Sequence, residues 1–234
     1  MFYCILYNSG SKIRIYPKKS AFFYATIFRL TLFLHYSTLC SFKLCVLTGY
    51  MTKRELRIWI KDLRKKLPAE YVKTASEAIC SNLEKLPRFA DSSVILFFWP
   101  LDGEVDLRPL IEKCFQNGKT VLLPVVTGPS ELELRRYCGP QGLVDGSFGV
   151  MEPVGQAWTG NVGFIVAPGL AFDAAGARIG YGKGYYDHLL EKHAESFTAG
   201  VCFSRMIVES VPVEPHDKRM DLVVTEKDMY RILN

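Results

Sequence analysis

The chain has 234 residues, 49% hydrophobic and 23% charged, which suits one globular domain with a single core and excludes a disordered polymer. Its formal net charge is +5, yet residues 1–50 hold six basic residues and no acidic one; setting those six aside leaves 23 basic residues against 24 acidic. The basic balance therefore belongs to the first fifty residues, and composition offers no argument for a nucleic-acid partner.

Those fifty residues show no sustained helical or strand period. Lys18 and Lys19 precede an apolar run, as the start of a signal peptide would. Arg29 interrupts that run, and the uncharged stretch 30–42 contains His35 and is too short to span a bilayer. The expectation is that Met51 is the natural start and that 1–50 is upstream sequence from a misplaced start. A true leader or anchor is the alternative. The seven cysteines, Cys4, Cys40, Cys45, Cys80, Cys114, Cys138 and Cys202, form no C-x-x-C pair, and their number is odd. Scattered single cysteines suit a reducing compartment better than a disulfide framework.

From Met51 onward the pattern is clear. Thr52 and Glu55 make a capping box, and Leu56, Trp59, Ile60, Leu63 and Leu67 recur at helical spacing over 52–67. Pro68 ends that helix, and 69–86 reads as a second. A short apolar strand at 94–98 is followed by a helix over 107–117, closed by Gly118. Strands follow at 120–126 and 131–137, then a loop-rich stretch at 139–160. The run 162–167 is wholly apolar and predicts a central strand. A helix at 185–192 and strands at 198–203 and 221–225 complete the series. This alternation predicts a single α/β domain over 51–234, a three-layer sandwich around a mostly parallel, Rossmann-like sheet.

Chemistry concentrates between the 162–167 strand and the 185–192 helix. Gly180-Tyr181-Gly182-Lys183-Gly184, flanked by Arg178, fits neither the Walker A spacing nor the dinucleotide fingerprint. Alternating glycines beside two cations at a helix N-terminus nevertheless suit a phosphate, because backbone N–H groups can approach it closely. A plain glycine turn is the competing reading. Asp187, in the first helical turn, reads equally as a dipole partner or as a magnesium ligand. Asp173 with Gly176 reads as a turn. Lys53, Arg57 and Lys61 form a basic stripe, read first as a solvated face and otherwise as a wall over an anionic ligand. Trp99 and Glu104 follow the first strand. They are either core and surface residues or a platform and anchor for a flat heterocycle with N–H donors.

The pieces together resemble the 5-formyltetrahydrofolate cyclo-ligase family. The resemblance rests on K-R-E-L-R at 53–57, P-L-D-G-E-V-D at 100–106, A-P-G-L-A-F-D at 167–173, R-I-G-Y-G-K-G-Y-Y-D at 178–187 and V-P-V-E-P-H-D at 211–217. It implies an ATP- and Mg2+-dependent closure of 5-formyltetrahydrofolate to 5,10-methenyltetrahydrofolate through a phosphorylated formyl group. Lys183 and Arg57 would be catalytic. Lys53, Arg57 and the run Arg178, Ile179, Gly180, Tyr181, Gly182, Lys183, Gly184, Tyr185 and Tyr186 would bind ATP. Trp99, Glu104 and Tyr185 would hold the folate, and Asp187 and Asp217 the magnesium ion. Some relatives carry arginine where Tyr181 stands, which leaves a direct phosphate role for that position open. The partners implied are small molecules, a reduced folate and ATP, with no nucleic acid and no membrane. A monomer in the cytoplasm is the expected state. Rival readings are a CoA-transferase or sugar-phosphate isomerase on a related sheet, and a non-catalytic folate or nucleotide binder.

Overall fold

The structure is a computed structural model and describes residues 4–6, 14–16, 51–214 and 217–232. The chain divides into two units, 1–43 and 44–234. In the first, β1 (Cys4–Leu6) and β2 (Arg14–Tyr16) pair antiparallel. The rest of 1–50, on which the start-site reading falls, lies outside the described residues.

The second unit opens with α1 (Lys53–Lys65). The Glu55 amide donates to the Thr52 hydroxyl, and the Thr52 amide donates to the Glu55 carboxylate at 2.9 Å, so the capping box is complete. Leu56 and Ile60 are fully buried, with Trp59 and Leu63 packed against them. Pro68 stands at the N-cap of α2 (Ala69–Glu84), and a short α3 (Pro87–Asp91) leads into β3 (Val94–Leu96). Then come α4 (Arg108–Gln116), β4 (Thr120–Gly128), β5 (Glu131–Arg136), β6 (Leu143–Asp145), β7 (Met151–Pro153), β8 (Phe164–Pro168), β9 (Ala171–Asp173) and β10 (Arg178–Ile179). The unit finishes with α5 (Tyr185–Lys192), β11 (Phe197–Val201), β12 (Ile207–Val208), β13 (Leu222–Val224) and β14 (Met229–Arg231).

Seven strands form the main sheet in the order β14-β13-β11-β8-β3-β4-β5. The five inner strands are parallel, and the two edge strands run antiparallel to their neighbours. The apolar run predicted as central is β8: Phe164, Ile165, Val166 and Ala167 have no exposed surface, as expected for a strand covered on both faces. From β3 the chain moves outward to β4. From β8 it moves the other way, to β11 and β13. The strand order thus reverses between β3 and β8. Ligands in open α/β sheets bind outside the carboxyl ends of the strands at such a reversal. Here those ends lead into residues 97–104 and 169–184.

Short elements escape the sequence pattern. The β6–β7 ribbon lies inside the predicted loop region. A small sheet, β10-β9-β12, extends past the end of β8 and carries the chain to the glycine loop. Its corner is the Asp173 turn. The buried Asp173 carboxylate accepts from the amides of Ala175, Ala177 and Val211, at 3.0, 2.9 and 2.9 Å. The described cysteines Cys80, Cys114, Cys138 and Cys202 are free. Burial pushes the thiol of Cys80 up to about 12 and that of Cys114 up to about 11, which favours the protonated form of both at neutral pH. No helix among the described residues is long and apolar enough to cross a membrane.

One polar knot ties α2 to the loops beyond the sheet. The Glu226 carboxylate accepts from the Tyr71 hydroxyl at 2.7 Å, from the Ser204 amide at 2.7 Å and from the Ser204 hydroxyl. Burial pulls its affinity for a proton up, but these bonds to Ser204 and Tyr71 outweigh it and hold the carboxyl below the ordinary glutamate range. A lowered folded-state value stabilises the fold above the unfolded value, and that contribution disappears as pH falls through the folded one. Glu226→Gln is therefore expected to cost about 1 kcal/mol at neutral pH, at the low end for bonds to a partly solvated charge. It should also flatten the loss of stability on acidification below about pH 4. Urea melts of both proteins across pH 3–7 check this.

Candidate active site

One face of α1 supplies the cations. Lys53, Arg57 and Arg64 recur at four- and seven-residue spacings, so they project along one side of the helix. Lys53 Nζ lies 2.6 Å from Asp217 Oδ2 and 3.2 Å from Glu214 Oε2. Arg57 Nε donates to the Gly180 carbonyl at 2.9 Å. Lys61 Nζ stands 5.2 Å from the centroid of the Tyr181 ring. Arg64 bonds Glu104, Tyr181 and the Gly169 carbonyl. A solvated face, the first reading of this stripe, holds for Lys61, which is exposed, and is corrected at Lys53 and Arg57, which are half-buried. The Lys53 and Arg64 side chains are only 18% and 10% exposed, because Glu214 and Asp217 close on the first and Glu104, Tyr181 and the Gly169 carbonyl on the second.

The loop follows β10. Gly182 has φ +90° and lies against the Arg57 guanidinium, where a Cβ would come within 3.2 Å of Arg57 Cζ. Only glycine meets both conditions without strain. Gly184 caps α5 with φ +74° and no side-chain acceptor, so the first-turn amides of that helix receive no side-chain cap. The hairpin joining β4 to β5 braces the loop, with the Ser130 hydroxyl donating to the Lys183 carbonyl at 2.7 Å. Lys183 itself is exposed, its Nζ 5.9 Å from the Phe148 ring centroid, and Phe148 also faces the Tyr185 ring at 6.2 Å.

Arg178 and Ile179 differ in character from the rest of the predicted nucleotide loop. Ile179 is buried in the core. The Arg178 side chain is 6% exposed, bonds Asp187 Oδ1 at 2.7 Å and lies over the Tyr186 ring at 5.6 Å. Its charge holds the start of α5 against β10.

Glu104 is the hub at the switch point. Its Oε1 accepts from Arg64 Nη1 at 3.0 Å and from the Tyr181 hydroxyl at 2.8 Å, and its Oε2 accepts from the Leu101 amide at 3.1 Å. Arg64 Nη1 also donates to the Tyr181 oxygen at 2.8 Å. Gly103 permits the close approach: its φ is +75°, and a Cβ there would press on Arg64 Cγ at 3.0 Å. Burial, then the nearby Glu104 charge, pushes the Tyr181 phenol above its usual range, so it remains a donor. Trp99 is half-buried just beyond β3, its ring 6.4 Å from that of Tyr137. Arg64 is the site residue that the sequence reading missed. Its signal was its position two turns beyond Arg57 on the same face.

Three buried polar atoms among the described residues have no partner: Arg64 Nε, Arg178 Nε and the Tyr186 hydroxyl. All three can donate, and all belong to residues of this one region. Buried donors are ordinarily satisfied, so these three suit acceptor oxygens brought by water or by a bound anion. Asp187 and Asp217 offer hard oxygen donors, each beside a cation, Arg178 and Lys53 respectively. Among the described residues no group of three or more His, Cys, Asp and Glu is placed to hold a metal ion. Either carboxylate is of the kind that holds a magnesium ion whose shell is completed by phosphate and water.

A doubly wound sheet with a cationic helix face, a glycine loop and an anchored carboxylate at the switch point defines an α/β enzyme that handles an anionic substrate. The model of the 5-formyltetrahydrofolate cyclo-ligase family matches residues 50–226, and the chain belongs to this family of ligases. It is 30% identical to the 5-formyltetrahydrofolate cyclo-ligase of Mycolicibacterium smegmatis, over 75% of this chain and 94% of that protein. It is 27% identical to that of Escherichia coli K12, over 73% of this chain and 98% of the relative. Among solved structures, Aquifex aeolicus 5,10-methenyltetrahydrofolate synthetase superposes with a TM-score of 0.71 at 40% identity, covering 79% of this chain and 94% of that one. A Mycoplasma pneumoniae synthetase shares the fold, with a TM-score of 0.62 at 19% identity over 75% of this chain and 99% of that one.

Proposed function

We propose that this chain converts 5-formyltetrahydrofolate and ATP to 5,10-methenyltetrahydrofolate, ADP and phosphate. The observation that carries the reading is the closure of the α1 cation row: Arg57 onto the 180–184 loop, Arg64 onto Glu104 and Tyr181, and Lys53 onto Asp217. Three unpartnered donors of the same region support it.

The formyl oxygen is a poor leaving group. It attacks the γ-phosphorus, an O–P bond forms and ADP departs. N10 then attacks the activated carbon, loses its proton, and the C–O bond breaks to release phosphate. Lys183 and Arg57 neutralise charge on the transferred phosphoryl group, while Lys53 and residues 180–186 fix the nucleotide and Arg178 holds the start of α5. Glu104 accepts an N–H donor of the pterin, with Trp99 and Tyr185 flanking it. A magnesium ion held by Asp187 and Asp217 would supply charge neutralisation between the phosphates. The rest of the barrier is lowered by holding N10 and the formyl carbon in contact.

This activity would reside in 51–234, acting as a cytoplasmic monomer on small molecules alone. Protein starting at Met51, mixed with folinate and Mg-ATP, tests it in a spectrophotometer set to the near-ultraviolet band of the methenyl product. A rise that needs all three components is expected. No rise from either this protein or the full chain, both shown to be folded, would overturn the reading.

A further inference from the structure

Tyr181 belongs to the loop on the nucleotide side, yet its hydroxyl is spent on the carboxylate of the folate side. Its backbone is pinned on both flanks. The Gly180 carbonyl accepts from Arg57 Nε, and Gly182 packs on the same guanidinium. Its ring reaches across to Glu104, with Lys61 over one face. A carboxylate has about four acceptor positions. Three here are filled by fixed donors from separate segments: Arg64 of α1, Tyr181 of the loop and the Leu101 amide. The hydroxyl also accepts from Arg64, so the three side chains form one closed triangle. Any ordering of the loop therefore moves, or fixes, a donor that sets the orientation of Glu104.

We propose that Tyr181 is a positioning residue that couples the two substrate sites, its phenol transmitting nucleotide binding at the 180–184 loop to the Glu104 carboxylate. The inference rests on the ATP and folate reading above. Linkage makes the coupling reciprocal: nucleotide tightens folate by the same factor as folate tightens nucleotide. The contact is exchangeable, because Tyr181 is 42% exposed and its hydroxyl can be deleted without opening the core.

Calorimetric titration of the full chain with folinate tests this, with and without Mg2+ and the non-hydrolysable β,γ-imido analogue of ATP. The wild-type protein should bind folinate about fivefold or more tightly when the analogue is present. In Tyr181→Phe that factor should fall close to one, in a protein that still melts cooperatively and somewhat below the wild type. A merely structural tyrosine would weaken both affinities alike and leave their ratio intact. A wild-type ratio in Tyr181→Phe, or a ratio of one in the wild type, would overturn the coupling while leaving the folate reading in place. Failure of the wild-type chain to bind folinate at all would remove that reading and the coupling with it.

Discussion

Lys183→Ala should lower kcat by about 10²–10³-fold while folinate affinity stays within a few-fold of wild type. Among the described residues Lys183 makes no ion pair, and its charge is steadied by the Phe148 ring at 5.9 Å. Its carbonyl, not its ammonium, is tied into the fold through Ser130. A cation held this way contributes little to stability and is available to charge that develops during phosphoryl transfer. Removing it should therefore act on the transition state and leave the ground state of the folate complex alone. Lys183→Arg should recover part of the rate, since it keeps the charge but changes its shape. Steady-state kinetics with folinate titration separate the two effects. Equal losses in turnover and folinate affinity would contradict the assignment.

Arg64→Ala should cost about 3–5 kcal/mol of stability, the usual result of stripping one partner from a buried ion pair. The Arg64 and Glu104 side chains are 10% and 6% exposed, so water cannot replace the lost guanidinium. The change also strands the Gly169 carbonyl and removes one donor from the Tyr181 oxygen. Replacing both charges, as Arg64→Met with Glu104→Leu, should restore much of that stability, because apolar pairs of similar volume often pack as well as a buried ion pair. It should not restore turnover, since the pterin would lose its acceptor. Denaturant melts and the methenyl assay on both proteins measure these quantities. A loss under about 1 kcal/mol in Arg64→Ala would show that the pair is solvated and that the hub does not exist as described.

Local features of the chain were legible in the sequence. The α1 start is written in Thr52 and Glu55, the β8 core in an unbroken apolar run, and the loop in its alternating glycines. Each depends on neighbours in sequence. The hub at Glu104 does not: it joins residues 40 and 77 positions away. Arg64 went unnoticed because helical spacing marked it only as one more charge on α1. Lys53 and Arg57 looked solvated because the groups that cover them, Asp217 and the Gly180 carbonyl, come from the other end of the chain. Strands β9, β10, β12 and β14 are two or three residues long, too short to show a period. Asp187 was readable as acidic at a helix start, but its partner Arg178 becomes visible only once β10 and α5 are placed side by side.

Activation of the formyl oxygen by ATP, as proposed, sends that oxygen into phosphate, and folinate prepared with ¹⁸O in the formyl group follows it through one round of catalysis. The ¹⁸O should appear in inorganic phosphate, one atom for each methenyl product formed. Label released into water, with unlabelled phosphate, would contradict it.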